Sequence, residues 1–157
     1  MIKKIFKSLK LIKIDVVIYA MTKKDILPFP DLGFEILIEP ISKGKKKYFI
    51  LDKGVLVHNS FLLDKVFLLK LIRKKGLTIG DCYTHPDYRG KSIYPFVIHF
   101  IAKKMLIEAK NSAVFVIVNR DNASSIKGIE KSGCKKIASI EAKRWLWFYF
   151  DKNIKNY

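Results

Sequence analysis

The sequence predicts an α/β (α+β) protein with a mixed, mostly antiparallel, twisted sheet and helices on both faces. In the second half of the chain, strand and helix patterns alternate before two final strands, which predicts a sheet covered by helices. Residues 112–118 are almost continuously apolar, as expected of a strand buried on both faces. Residues 91–110 carry apolar side chains at a period of 3.6 residues, which predicts an amphipathic helix.

Length and composition favour one compact domain over residues 1–157. The chain has 157 residues, of which 50% are hydrophobic, enough apolar surface to build one core. Two cysteines, Cys82 and Cys134, are too few for a disulfide framework, and the absence of a C-x-x-C pair argues against a structural metal site. We therefore expect a protein of a reducing compartment, the cytoplasm, that holds no metal.

The formal net charge of +17 favours an anionic partner, whether a nucleic acid, a membrane surface or an acidic ligand. Only four of the 31 basic residues are arginine, the side chain best suited to reading phosphates and base edges. The charge is therefore interpreted mainly as a solvated surface that partly attracts an anionic ligand. A basic nucleic-acid-binding module stays open as the alternative.

The first half of the chain predicts strands and one helix. Residues 11–20 have the composition of a strand, and 33–38 with 47–57 indicate a hairpin across the basic loop 42–46. Residues 61–75 space apolar side chains three and four apart, which predicts a helix that ends before Gly76.

The N-terminal residues 1–10 mix lysine with apolar side chains. They predict either a short amphipathic helix at a membrane surface or a frayed N-terminal turn. The apolar run 16–21 is far shorter than the ~20 residues that cross a bilayer, so no transmembrane segment is expected.

In the second half, residues 77–84 predict a short buried strand that leads into the helix 91–110. Pro95 is compatible with the first turn of that helix, where amides have no internal acceptor. A second helix is predicted to begin at Asp121 or Asn122 and to end at Gly133. The chain then closes with a predicted hairpin, strands 135–140 and 144–151.

The loop between residues 84 and 94 has the features of an anion site. Free amides at a helix start, the flexible Gly90 and the cations Arg89 and Lys91 would together suit a pyrophosphate. An ordinary strand-to-helix turn with solvated basic residues is the alternative.

These residues resemble the acetyl-CoA loop of the GCN5-related N-acetyltransferase (GNAT) superfamily, whose pattern is Q/R-x-x-G-x-G/A. Residues 89–94, Arg-Gly-Lys-Ser-Ile-Tyr, occupy that pattern, and 122–134 resemble the family's asparagine, helix and glycine segment. The resemblance covers about 77–151 and implies the GNAT-like acyl-CoA N-acyltransferase fold, with 77–151 as the cofactor-binding half and 1–76 as a divergent acceptor-side half.

Three positions depart from the family. Ser92 and Tyr94 stand where small residues are usual, so Tyr94 is expected to narrow or line the cofactor channel. Ile129 stands where many members have the tyrosine that protonates the leaving thiolate.

The resemblance implies direct transfer of acetyl from acetyl-CoA to a primary amine in a ternary complex. An amine of pKa ~10.4 must first lose a proton, and Asp81, Tyr83 and His85 are the candidate catalytic residues. Asp81, Tyr83 and His85 alternate along the strand and could share one face. The implied cofactor-binding residues are Tyr83, Thr84, Arg89, Gly90, Lys91, Ser92, Ile93, Tyr94, Asn122 and Ser125.

The sequence also indicates two possible partners, the acceptor molecule and a second copy of the chain. The positive charge favours an anionic small-molecule acceptor, such as an amino sugar nucleotide, over a basic peptide. The aromatic residues 145–150 are interpreted as core or as a homodimer contact, and stacking on a base or sugar is the alternative.

Overall fold

The structure is a computed structural model that describes residues 10–157. The hypothesis of an amphipathic helix concerns residues 1–10 and so lies almost wholly outside the described residues. The strands are β1 (Ile12–Met21), β2 (Leu37–Ser42), β3 (Lys45–Asp52), β4 (Val55–Leu63), β5 (Leu77–Thr84), β6 (Val114–Asn119), β7 (Lys135–Trp145) and β8 (Phe148–Asn156). The helices are α1 (Phe67–Leu71), α2 (Ile93–Ile107) and α3 (Ala123–Lys131), with 3₁₀ turns at Lys23–Asp25 and Pro86–Tyr88.

Within this part of the chain, eight strands form one sheet in the order β2-β3-β4-β5-β6-β1-β7-β8. β5 and β6 run parallel, and every other neighbouring pair is antiparallel. The predicted mixed, mostly antiparallel sheet is therefore confirmed.

β1, the first strand among the described residues, lies inside the sheet rather than at its edge. β1 pairs along one side with β6 and along the other with β7. Its side chains alternate between two cores: Val17, Tyr19 and Met21 pack with α2, whereas Ile18 packs with Leu69 of α1. Helices therefore cover both faces of the sheet, as predicted.

The predicted helix over 61–75 is wrong, because β4 continues to Leu63 and α1 has only five residues. Burial in β4 alternates with period two: Ser60 and Leu62 are buried, whereas Phe61 and Leu63 are partly exposed. The apolar side chains of this strand end were thus mistaken for the first turn of a helical stripe.

The predicted strand 47–57 is also wrong, because a turn at Lys53 and Gly54 divides it into β3 and β4. Both turn residues have positive φ, 49° and 80°. The polar loop predicted at 42–46 is a shorter turn, since β2 ends at Ser42 and β3 begins at Lys45. The predicted strand 33–38 begins only at Leu37 and runs on to that turn.

The terminal hairpin turns later than predicted. β7 runs unbroken to Trp145, and the turn falls at Leu146 and Trp147 instead of at 141–143. Residues 141–143, which were predicted to form the turn, belong to β7, and Ala142 is buried there. The predictions of β5, α2 and α3 are confirmed, including Asn122 as the N-cap of α3 and Gly133 beyond its end at φ 100°.

No helix among residues 10–157 is both long enough and apolar enough to cross a membrane.

Candidate functional site

A cleft opens where β5 and β6 separate. The two strands pair only from Leu77 to Ile79, opposite Val114 to Val116, and both continue beyond that point. The cleft has a volume of about 600 Å³. It is lined by Cys82, Tyr83, Thr84, Tyr88, Arg89, Gly90, Ser92, Ile93, Tyr94, Pro95, Asn122, Ser124, Ser125, Lys127, Gly128 and Lys131. Nine of the ten residues that the resemblance assigned to cofactor binding are in this set, and Lys91 is the tenth.

A β-bulge shapes the β5 wall of the cleft. Asn59 of β4 pairs with Tyr83 and Phe61 pairs with Gly80, so Asp81 and Cys82 together oppose Ser60. Asp81 has φ 49°, which interrupts the regular alternation of the strand. The assumption that Asp81, Tyr83 and His85 share one face is therefore wrong.

The three candidate catalytic residues consequently differ in their surroundings. Tyr83 lines the cleft and is 42% exposed. The Asp81 carboxylate is exposed and lies 3.7 Å from Lys45 Nζ. His85 is not among the cleft residues, and its Nδ1 accepts a hydrogen bond from the Asp87 amide at 3.3 Å, which caps the 3₁₀ turn.

The loop from Arg89 to Ser92 brings the start of α2 to the mouth of the cleft. Two successive left-handed residues bend it, Gly90 at φ 76° and, after Lys91, Ser92 at φ 61°. The helical hydrogen bonds of α2 begin with the Phe96 amide, which donates to Ser92 O at 3.1 Å. The preceding amides, of Ile93 and Tyr94, thus have no acceptor within the helix and are free to bind an anion.

Cations surround this helix start. Lys131 Nζ donates to Ser92 Oγ at 2.7 Å, and Arg89 Nε donates to Thr84 O at 3.0 Å. Lys127 also lines the cleft. Lys91 is not among the lining residues, but its Nζ lies 5.0 Å from the centre of the ring of Tyr88, which is one of them. A Cβ built on Gly90 would meet nothing within 4 Å, so the space beside its backbone is open. This end of the cleft suits a phosphate or diphosphate.

The start of α3 forms the wall opposite β5. Asn122 caps this helix, because its Oδ1 accepts from the Ser125 amide at 3.1 Å. Two helices, α2 and α3, therefore begin at the same cleft, and both present the positive end of their dipoles to it.

Tyr94 reaches into the inner part of the cleft, as expected. Its phenol lies beside Cys82 and Ser125. The ring packs on the backbone of Gly128, where an added Cβ would lie 2.6 Å from Tyr94 Cδ1. Burial is the main cause that raises the pKa of Tyr94 far above its usual value, so the phenol keeps its proton.

A buried polar network beneath the cleft was not predicted from the sequence. His58 is fully buried, its Nδ1 lies 2.8 Å from Thr84 Oγ1, and its Nε2 lies 2.8 Å from Ser60 Oγ. Ser60 in turn donates to Cys82 Sγ at 3.1 Å. Since the Ser60 proton is used on sulfur, Ser60 accepts from His58 Nε2–H, and Nδ1 accepts from the Thr84 hydroxyl.

The network connects two points of the cleft wall, Thr84 and Cys82, through the interior of the sheet. Burial lowers the pKa of His58 to about 4, so the imidazole is neutral near pH 7. Burial also raises the pKa of Cys82 to about 11, which keeps a thiol there rather than a nucleophilic thiolate. The network therefore holds polar groups in fixed orientations along the β5 wall.

Within residues 10–157, no three His, Cys, Asp or Glu side chains lie close enough together to hold a metal ion. Cys82 and Cys134 are both free thiols.

Comparison with known proteins gives the fold but no relative in sequence. No family model matches the chain, and no curated protein sequence matches it. The structure is similar to that of a protein from Novosphingobium aromaticivorans DSM 12444 assigned to the GNAT family of acetyltransferases, with a TM-score of 0.57 and 15% identity over 81% of this chain. It is also similar to a GNAT-family acetyltransferase from Colwellia psychrerythraea, with a TM-score of 0.57 and 12% identity over 81% of this chain.

The similarity covers 62% and 54% of those two chains, so this chain spans less than two thirds of the solved structures that it matches. At these identities the comparison shows a common fold.

Proposed function

We propose that this protein, which has the fold of GNAT acetyltransferases, is an acyltransferase that moves an acetyl group from acetyl-CoA to a primary amine. The amine attacks the thioester directly in a ternary complex. The observation that carries the proposal is the cleft between β5 and β6, which has the open amides of α2 at its mouth and an unpaired strand edge along one wall. The proposal treats residues 77–151 as the cofactor-binding half of one domain.

The chain's own residues fit a diphosphate at the mouth of the cleft. The amides at the start of α2 would donate to the phosphate oxygens, and Gly90 allows the backbone to approach them closely. Arg89, Lys127 and Lys131 would balance the negative charge. Asn122 and Ser125 fix the start of α3 on the other side.

Along the inner wall, the residues of β5 beyond Ile79 are not paired with β6. We propose that the backbone of Tyr83 and Thr84 holds an extended ligand arm in the manner of an added strand, and that these groups polarise the acyl carbonyl. Acetyl-CoA supplies the activated acetyl group in this reaction. The chain's residues bind and orient it and move the protons.

Two proton transfers accompany this reaction: the amine loses a proton and the leaving sulfur gains one. For the amine, we favour Tyr83, which lines the cleft, as the proton acceptor, acting directly or through water, over Asp81 and His85, which do not line it. The Nδ1 of His85 already accepts the Asp87 amide, and the Asp81 carboxylate lies beside Lys45.

For the leaving sulfur, the Tyr94 phenol lines the cleft and is suited to donate a hydrogen bond to the developing thiolate. Because burial raises the pKa of Tyr94 far above its usual value, water rather than the phenol would supply the proton that completes the thiol.

We propose an anionic small molecule, such as an amino sugar nucleotide, as the acceptor, and the cytoplasm as the location. The net charge of +17 would attract such an acceptor and repel a basic peptide. Residues 1–76 would supply the acceptor side.

A thermal-shift titration with acetyl-CoA tests the binding step. At a ligand concentration of 100 times Kd, linkage predicts about 2.7 kcal/mol of added stability, which corresponds to a rise in Tm of several degrees. The double variant Lys127→Ala/Lys131→Ala should weaken this effect. The matched control Lys23→Ala/Lys24→Ala, at exposed lysines outside the cleft, should leave it unchanged.

A panel of amines, with release of free thiol as the readout, then tests the transfer step. If the protein bound acetyl-CoA but released no thiol with any amine, it would be a cofactor-binding protein without acetyltransferase activity. No shift with any CoA species would overturn the proposal.

A further inference from the structure

Tyr88 lines the cleft, and a residue outside the cleft holds it there. Its hydroxyl donates a hydrogen bond of 2.7 Å to Oδ2 of Asp52, at the end of β3. This bond raises the pKa of Tyr88, so the phenol keeps the proton that it donates. Asp52 lies 36 positions before Tyr88 in the sequence and is not among the cleft residues. The contact therefore joins the cleft to a part of the sheet that the proposed reaction does not otherwise use.

The position of Tyr88 affects the loop that was described as the anion site. Tyr88 is the last residue of the 3₁₀ turn Pro86–Tyr88, and the loop 89–92 starts at the next residue. The Nζ of Lys91 lies over the Tyr88 ring, 5.0 Å from its centre, and a cation is attracted to an aromatic face. The Tyr88 ring therefore influences both where the loop begins and where one of its cations lies.

The Asp52 end of the contact is fixed by a tight hairpin. β3 and β4 pair as far as Asp52 and Val55, and only Lys53 and Gly54 lie between the two strands. A two-residue turn leaves the chain little freedom. The carboxylate of Asp52 is therefore carried by a rigid part of the sheet.

The turn Pro86–Tyr88 is anchored to the sheet at both ends. At its start, the His85 amide donates to Val57 O of β4 at 2.8 Å. At its end, the Tyr88 hydroxyl donates to Asp52 of β3. The second anchor uses side chains alone, so a substitution removes it and leaves the backbone hydrogen bonds of the sheet in place.

The charge of Asp52 acts against the binding of an anion. In the described part of the chain, no lysine, arginine or histidine forms an ion pair with this carboxylate. A negative charge 2.7 Å from a hydroxyl that lines the cleft would repel a diphosphate. Electrostatics alone therefore predicts that removal of Asp52 tightens the binding of such a ligand.

We propose that Asp52 is a positioning residue of the acetyl-CoA site: it holds Tyr88, and through Tyr88 the loop 89–92, in the arrangement that binds the diphosphate. This inference rests on the proposed function, which supplies the ligand. A loop that is already ordered loses less conformational entropy when its ligand binds. The order that the hydrogen bond gives to the loop then exceeds the repulsion that the carboxylate causes.

The sign of the change in Asp52→Ala distinguishes positioning from charge. If Asp52 acts through Tyr88, this variant should bind acetyl-CoA at least about fivefold more weakly than the wild type. Charge alone predicts tighter binding. Isothermal titration calorimetry measures the affinity, and circular dichroism verifies that each variant is folded at the temperature used. Since salt screens the repulsion but leaves the hydrogen bond, the ratio of the two affinities should be no smaller at high salt.

Three more variants test the contact itself. Asp52→Asn keeps an oxygen that accepts from Tyr88, so it should bind within about twofold of the wild type. Tyr88→Phe keeps the ring and should weaken binding as Asp52→Ala does. The double variant Asp52→Ala/Tyr88→Phe should bind no more weakly than Tyr88→Phe alone. The matched control Glu35→Ala, at an exposed acid outside the cleft, should leave the affinity unchanged.

Two results would overturn this inference alone, in a wild type that binds acetyl-CoA. One is binding by Asp52→Ala that is as tight as in the wild type or tighter, which would leave Asp52 with a purely electrostatic effect. The other is a double variant in which the two single losses multiply, as they do for residues that act independently. If the wild type binds no CoA species, the proposed function fails, and this inference fails with it.

Discussion

His58 illustrates how a single buried side chain can set the pH response of the fold. Its ring is fully buried and both nitrogens are hydrogen-bonded to hydroxyls, an arrangement that requires the neutral imidazole. Burial lowers the pKa of His58 from 6.5 to about 4 in the folded state. The unfolded chain therefore binds the additional proton more readily between these two values.

Stability should fall as the pH drops from 6.5 towards 4, by about 3 kcal/mol from His58 if its pKa in the unfolded chain is the ordinary one. Above pH 6.5 the imidazole is neutral in both the folded and the unfolded chain, so His58 no longer makes stability depend on pH. His58→Gln, whose amide can also donate to Ser60 and accept from Thr84, should flatten most of this slope. Urea unfolding at a series of pH values measures it.

His99 provides the comparison, because burial is the main cause that lowers its pKa as well. His99→Gln should remove a smaller part of the same slope. Asp25, with a pKa lowered to about 2 mainly by its hydrogen bond from Lys135, acts at lower pH, so its contribution is lost only between 3.8 and 2. A His58→Gln slope equal to that of the wild type would show that His58 is not the group responsible.

At the residue scale, sequence reasoning found the mouth of the cleft but not its inner wall. Glycine and cations before a predicted helix are a local signal, and Arg89 and Gly90 lie where that signal indicated. The bulge at Asp81 was not foreseeable, because a non-glycine residue with positive φ carries no sequence mark. His58 and Ser60 alternate as strand residues do, and nothing in that pattern distinguishes a network from an exposed polar face.

At the scale of elements, α3 depends on its N-cap for its position beside the cleft. The Asn122 side chain accepts a hydrogen bond from the Ser125 amide at 3.1 Å, and both residues line the cleft. Asn122→Ala should cost about 1 kcal/mol of stability and also weaken binding of acetyl-CoA. Asn122→Asp keeps an acceptor at the cap and should retain the stability, but the added negative charge should weaken binding of an anion.

Denaturant unfolding and the thermal-shift titration together check these two variants. If both variants lose acetyl-CoA binding equally and only Asn122→Ala loses stability, then the contribution of the N-cap to stability is separate from the contribution of Asn122 to ligand binding. Unchanged binding in both variants would contradict a role for the start of α3 in the site.

Element boundaries were predicted well where apolar periodicity was long and poorly where it was short. The fifteen residues of α2 give four turns of one pattern, whereas α1 has a single turn that periodicity cannot distinguish from the end of β4. The hairpins shifted for a related reason. The lysine-rich segment 42–46 was interpreted as a loop, but Lys45 lies within β3, where its ammonium group covers the ring of Phe61.

At the scale of the whole molecule, β1 connects the two parts of the sheet. It lies between β6 and β7, so the first described strand pairs with two strands from the second half of the sequence, and none of this pairing is local in sequence. The sequence predicts β1 as a strand but cannot predict this position, because its apolar composition fits an edge and a centre equally well. Its burial on both faces, with Ile18 at 0% exposure, marks it as central.

Ile18→Ala should therefore destabilise the protein by about 2–5 kcal/mol, a large part of the 5–15 kcal/mol typical of a domain, because it leaves a cavity where sheet and α1 meet. The matched variant Ile12→Ala, in the same strand but 38% exposed, should cost no more than about 1 kcal/mol. Since β1 connects the hairpin to the rest of the sheet, tryptophan fluorescence and far-ultraviolet circular dichroism should report one unfolding midpoint in both variants. If the hairpin unfolded at a lower denaturant concentration than the helices, β1 would not couple the two ends of the sheet, and the loss in Ile18→Ala would be confined to one side of it.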